Sequence, residues 1–182
     1  MIRLFAVLAA LVFAVPALAQ PVQLPAGVDP QNTIVIDTNV GRIVMKLRPD
    51  LAPKHAERIK LLARDKYYDN VPFHRVIPGF MAQTGDGQNR NGTGGSKYPN
   101  LAAEFTQTPF KRGVVGMART NDPNTANSQF FIMYADGDFL NGKYTVIGEV
   151  VSGMDVVDKI KKGEPVADPD RMVKVQVAAD VK

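Results

Sequence analysis

The sequence predicts a mainly β domain: a closed eight-stranded antiparallel β-barrel capped by two α-helices. Three observations lead there. Short β-branched and aromatic runs recur along the chain, bounded by Gly, Pro and Asn punctuation. Only two segments carry a helical period, and neither alternates with strands in the way a parallel βαβ sheet requires. Short strands without such crossovers leave exposed edges, and closing the sheet into a barrel removes them.

The chain opens on what reads as a secretory leader over residues 1–19. Met1-Ile2-Arg3 is basic, Leu4 to Leu18 is almost wholly apolar, and Ala17-Leu18-Ala19 is a small-x-small cleavage site before Gln20. The apolar run is too short to cross a bilayer and carries Pro16. Residues 20–31 hold Pro21, Pro25 and Pro30 and read as a flexible lead-in. The folded domain is expected over residues 32–182, exported to the periplasm and monomeric.

Within it, Thr33 to Thr38 and Arg42 to Leu47 form β-branched runs joined by Asn39-Val40-Gly41, a hairpin. Pro53 suits the first position of a helix, Glu57 its positive first turn, and Ala56, Ile59, Leu62 and Ala63 fall on one face through Asp65. Phe73 to Asp86 supplies two strands about a Pro78-Gly79 bend, with Arg75 and Gln83 the polar members of an apolar neighbourhood. Gly85 to Pro99 is a glycine-rich surface loop of the kind that frames a site. Val114 to Ala118 and Gln129 to Met133 are strands flanking the polar loop Arg119 to Asn127, and Tyr144 to Val150 is another. Ser152-Gly153-Met154-Asp155 reads as a capping box for the second helix, with Met154, Val157 and Ile160 facing the core. Met172 to Ala178 closes the chain as a strand.

Composition removes several function classes. The chain has no cysteine, which excludes thiol catalysis, redox chemistry and a disulfide framework. The formal charge of +4, or 4 − 1 = +3 without Arg3, is spread among acids, so no nucleic-acid stripe is expected. Gly137 to Lys143 is spaced like a phosphate loop, but Tyr144 replaces its hydroxyl and a strand follows where a helix is needed. As a calcium loop the same segment fails, with Leu140, Asn141 and Ile147 at positions needing oxygen ligands or glycine. His55 and His74 are the only histidines, too few for a catalytic zinc site, and the serines lie outside any nucleophile elbow. No cofactor and no metal are expected. What remains is Arg75, Gln83 and apolar side chains among polar loops, a set suited to binding and polarising a neutral group.

Five motifs, in order, resemble the cyclophilin family of peptidyl-prolyl cis-trans isomerases: Phe73 to Gln83 with Gly85-Asp86; Asn91 to Gly95; Gly116-Met117-Ala118; Asn127 to Ile132; and Leu140 to Lys143. The resemblance covers essentially the whole mature chain. It implies an eight-stranded barrel with two helices, and an isomerase of X-Pro bonds assisting the folding of exported proteins. It implies that Arg75 is the catalytic arginine, that Phe80, Met81, Phe131 and Leu140 form the proline pocket, and that Gln83 and Gln129 lie beside it. Ala118, Arg119 and Thr120 match the strand end that binds substrate backbone. Phe139 and Tyr144 stand where many relatives have tryptophan and histidine, which looks like the compact bacterial secreted branch and implies weak cyclosporin binding. Partners are then proline-containing peptides and folding polypeptides, with no nucleic acid and no stable membrane association. The partner of Arg75 is expected to be substrate rather than an acid of its own chain. The alternative is a chaperone or binding module that keeps the pocket without turnover.

Overall fold

The computed structural model describes residues 23–181, so the leader and the first part of the lead-in lie outside the described residues. Nine strands form one sheet: β1 (Thr33–Thr38), β2 (Gly41–Leu47), β3 (Val71–Pro72), β4 (Arg75–Ile77), β5 (Met81–Thr84), β6 (Val114–Met117), β7 (Phe130–Met133), β8 (Val146–Ser152) and β9 (Arg171–Val177). Two helices accompany them, α1 (Pro53–Arg64) and α2 (Met154–Lys159). The order β3-β9-β1-β2-β8-β6-β7-β5-β4 is antiparallel at every pairing described.

This corrects the closed eight-stranded barrel. The sheet is open, and its ninth strand is the two-residue β3, which pairs Val71 with Met172 and Pro72 with Arg171. The two edges are consecutive in the chain. After β3 only Phe73-His74 intervenes before β4 leaves along the opposite edge, so a covalent step replaces a closing ladder. Pro72 has no N–H to extend the ladder beyond its edge. The outer edge of β4 is not bare: Val76 and Gly163 exchange two backbone hydrogen bonds of 2.8 Å.

The first hairpin forms as its residues dictate, with Thr38 opposite Gly41 and Asn39-Val40 at the turn. The Thr38 hydroxyl donates to the Gly41 carbonyl at 2.7 Å and accepts from Val40 N–H at 3.1 Å. Helix α1 buries Ala56, Ile59, Leu62 and Ala63, the face its spacing marked, in the main core with Ile34, Ile36 and Ile43. Its N-terminus is satisfied from afar. Glu57 lies beyond the first turn and pairs with Lys60, while Glu104 accepts from the N–H groups of Lys54 and His55 at 3.2 and 3.1 Å.

Helix α2 departs from the capping box. Ser152 ends β8, and Gly153 is the N-cap, left-handed at φ +91° and without a side-chain cap. A Cβ at Gly153 would stand 2.3 Å from the Arg42 carbonyl oxygen, so the turn rests on the missing side chain where strand and helix abut β2. The α2 residues Val156 and Val157, with Ile160 beyond its end, are buried, and Met154 is partly so.

Candidate active site

Strand register builds the site. Arg75 of β4 lies opposite Gln83 of β5, Gln83 opposite Phe131 of β7, and Phe131 opposite Gly116 of β6. Directly opposed residues share a sheet face, so this row delivers a guanidinium, an amide and a phenyl ring side by side. Gly116 carries no side chain because a Cβ there would lie 2.5 Å from Phe131 and 2.6 Å from Phe110. Phe110 stacks behind Phe131 at 5.8 Å between centroids.

Around the row is a cavity of about 310 Å³ lined by Arg75, Phe80, Met81, Gln83, Ala118, Arg119, Phe131, Phe139, Leu140 and Tyr144. Met81, Phe131 and Leu140 are buried and form its base. Phe139 is the rim: it is 62% exposed and tilts against Phe80 at 5.5 Å. Tyr144 meets Phe131 edge-on at 5.8 Å. Of the residues expected at the site, Thr120 and Gln129 stand apart from this cavity. They line an adjoining one of about 290 Å³, which shares Gln83, Ala118 and Arg119 with the first and is framed by Gly92, Gly94 and Gly95. Ala118 extends the β6–β7 ladder by donating to the Gln129 carbonyl at 2.9 Å, and the Thr120 N–H is taken by the Thr125 hydroxyl at 3.0 Å.

Arg75 carries the main correction. Its Nε donates to Glu164 Oε1 at 2.5 Å, so the guanidinium does have an acid of its own chain. The Gly163 bridge to Val76 sets the following residue beside β4, a long-range pairing no local pattern announces. The pair remains solvated, with side chains 40% and 55% exposed, and Arg75 still faces the cavity. Its Nη1 approaches Gln83 Oε1 at 3.5 Å. Gln83 Nε2 in turn donates to Gln129 Oε1 at 2.9 Å, and Gln129 Nε2 donates to the Gly92 and Gly94 carbonyls at 2.9 and 2.8 Å. Each amide is thereby oriented, and the oxygen of Gln83 turns toward Arg75.

The loop carrying those carbonyls is folded around Asp86, a fully buried residue that the sequence reading left without a role. Its carboxylate accepts from the N–H groups of Asn89, Asn91, Gly92 and Gly94 at 2.8, 3.2, 2.9 and 3.0 Å. Burial pushes the carboxyl upward, but the N–H donors outweigh it and hold it below the ordinary range. A lone aspartate opening a glycine-rich stretch was the available signal. His74 packs nearby and His55 binds Glu104 Oε2 through Nδ1 at 2.6 Å; burial lowers both histidines, with Glu104 opposing it at His55. Among the described residues no three His, Asp or Glu side chains converge as metal ligands.

Comparison with known proteins gives a consistent result. A family profile described as cyclophilin type peptidyl-prolyl cis-trans isomerase/CLD matches residues 33–179. A probable peptidyl-prolyl cis-trans isomerase of Brucella suis is 55% identical over 176 residues, covering 88% of this chain and 90% of its own. One from Encephalitozoon cuniculi is 43% identical over 134 residues, covering 69% and 76%. Among solved structures, a cyclophilin from Hirschia baltica matches with a TM-score of 0.79 at 30% identity, over 85% of this chain and 77% of that one. A Cryptosporidium parvum cyclophilin-type isomerase, crystallised with the dipeptide Ala-Pro, matches with a TM-score of 0.74 at 28% identity, over 80% and 98%. A profile that matches most of the chain and a relative 55% identical over 88% of it place the chain in the cyclophilin-type peptidyl-prolyl cis-trans isomerase family.

Proposed function

We propose that this isomerase acts outside the cytoplasm, as a periplasmic monomer of the compact bacterial secreted branch, on X-Pro bonds of folding envelope proteins, and that Arg75 is its catalytic residue. The leader-like residues 1–19 support export. The cavity that holds Arg75 beside Phe131, Met81 and Leu140 carries the catalytic part.

A peptide bond resists rotation by about 18–20 kcal/mol because the nitrogen lone pair is delocalised into the carbonyl. At the twisted transition state the lone pair returns to the proline nitrogen, which becomes an acceptor. Glu164 holds Nε of Arg75, and the Nη groups remain to donate to that nitrogen. The planar ground-state nitrogen accepts poorly, so the bond strengthens as the amide twists, the condition for catalysis. The apolar cavity holds the ring while the flanking chain turns. An acceleration of about 10⁵ requires about 7 kcal/mol. One charge-assisted bond supplies about 1.5–3 kcal/mol, and positioning and exclusion of water supply the rest. Phe139, exposed where many relatives carry tryptophan, gives cyclosporin a smaller aromatic surface and weak binding.

The test is isomerisation of a proline peptide by residues 20–182, followed by protease coupling. Arg75→Ala lowers kcat/KM about a hundredfold or more with the circular dichroism unchanged; near wild-type turnover by that variant overturns the mechanism. A protein that suppresses aggregation without accelerating isomerisation belongs to the chaperone reading. For export, mass spectrometry of the periplasmic fraction should find a chain beginning near Gln20. A chain retaining Met1 in the cytoplasm overturns it.

A further inference from the structure

Arg119 is the second cation of the cleft, and its surroundings differ from those of Arg75. It belongs to the wall that the two cavities share. Its guanidinium lies over the Tyr144 ring at 4.3 Å from the centroid, with Phe105 at 5.9 Å on the other contact. Nη1 donates to the Thr120 carbonyl at 2.8 Å and to that of Asn121 at 3.4 Å, and Nη2 donates to the Lys143 carbonyl at 2.9 Å. These contacts fix the plane of the group, but every one is to a neutral partner.

The charge is therefore held and not cancelled. Arg48, Arg64, Arg75 and Arg112 each pair with a carboxylate. Among the described residues no carboxylate lies within ion-pair distance of Arg119. The only acid in the loop 119–127, Asp122, accepts from Asn124 N–H at 2.8 Å, capping the short turn there. No Asp or Glu lines either cavity. The rings attract the cation and the carbonyls orient it, but none of these partners carries a negative charge, so an anionic side chain from outside would meet a positioned cation with no carboxylate already on it.

Resting on the isomerase reading above, we propose that Arg119 is a specificity-determining residue that favours substrates bearing an Asp or Glu side chain within about three residues of the proline. The proline ring occupies the apolar cavity. The chain then passes the Gln83-Ala118-Arg119 wall, and each extended residue advances it by at most about 3.3–3.6 Å. A side chain a few positions away enters the second cavity, whose other lining groups are neutral amides, hydroxyls and backbone.

The experiment uses residues 20–182 and peptide pairs that differ only by Glu or Gln, placed one, two or three residues to either side of the proline. Rates are measured by NMR exchange. The Glu member is favoured in kcat/KM by about threefold or more at one position at least, Lys there is disfavoured against Gln, and added salt shrinks both differences. Arg119→Gln abolishes the Glu-to-Gln ratio at that position, and Arg119→Lys, which keeps the charge but loses the forked contacts, retains part of it. A strut without a reading role would lower all peptides alike and leave the ratio unchanged. Equal turnover of Glu and Gln peptides at every position overturns the proposal while the isomerase reading stands; so does a ratio that survives Arg119→Gln. Absence of turnover for any peptide overturns the isomerase reading itself. Should Arg119→Gln fail to fold, the Glu, Gln and Lys comparison on the wild-type protein decides.

Discussion

Arg75 and Gly116 show how much a single residue depends on what stands beyond it. Arg75 has five N–H donors in a fixed fork, and committing Nε to Glu164 orients the rest toward the cavity without burying the charge. Gly116 works by absence. Phe131 and Phe110 stack through the space its side chain would occupy. Gly116→Ala forces a ring to move, and overpacking of this kind costs about 1–3 kcal/mol. A lower melting temperature together with a raised KM for proline peptides is expected, because the ring that yields is part of the cavity. An unchanged KM would mean that Phe110 alone gives way.

At the scale of elements, the loop from Gly85 to Pro99 acts through hydrogen bonds. Asp86 gathers four N–H groups, which turns the carbonyls of Gly92 and Gly94 onto Gln129. Asp86→Asn removes one acceptor oxygen from a buried position, at a cost of about 1–3 kcal/mol. Hydrogen exchange should show the Asn91, Gly92 and Gly94 amides losing protection while the β1–β2 hairpin keeps its own. In the wild-type protein the carboxyl is held below its ordinary value, so its contribution is complete above that value and is lost as pH falls through the lower folded value. The same amides are expected to loosen only below about pH 4. Loosening near neutral pH would contradict the assignment. That Asp86 does this was not legible in the sequence, since an aspartate before glycines reads equally as a turn residue.

For the whole molecule, the two histidines weaken stability as pH falls from neutral through the ordinary histidine range. His55 is fully buried and His74 nearly so, and Nε2 of His55 has no hydrogen-bond partner among the described residues. Burial lowers both below the ordinary value of 6.5. The unfolded chain therefore binds protons first as pH falls, and stability present above about pH 6.5 declines below it. Urea midpoints at pH 7.5 and 5.5 measure this: a lower midpoint at pH 5.5 is expected, and equal midpoints would show the rings to be charged or solvated in the folded state.

The sequence by itself determined the two helices and every strand but β3, because pleat and helical period, proline and glycine act within a few residues. The first hairpin, α1 and the β4–β5 bend are legible on those grounds, and the cleft residues were legible through their motifs. Only the tertiary structure decided how the sheet ends and what completes the site. The pairing of Val71-Pro72 with β9, Glu104 on the N-terminus of α1, Glu164 on Arg75 and the uncancelled charge of Arg119 all join residues distant in the chain or depend on a partner's absence. Such contacts are made when the sheet curls, and no local spacing encodes them.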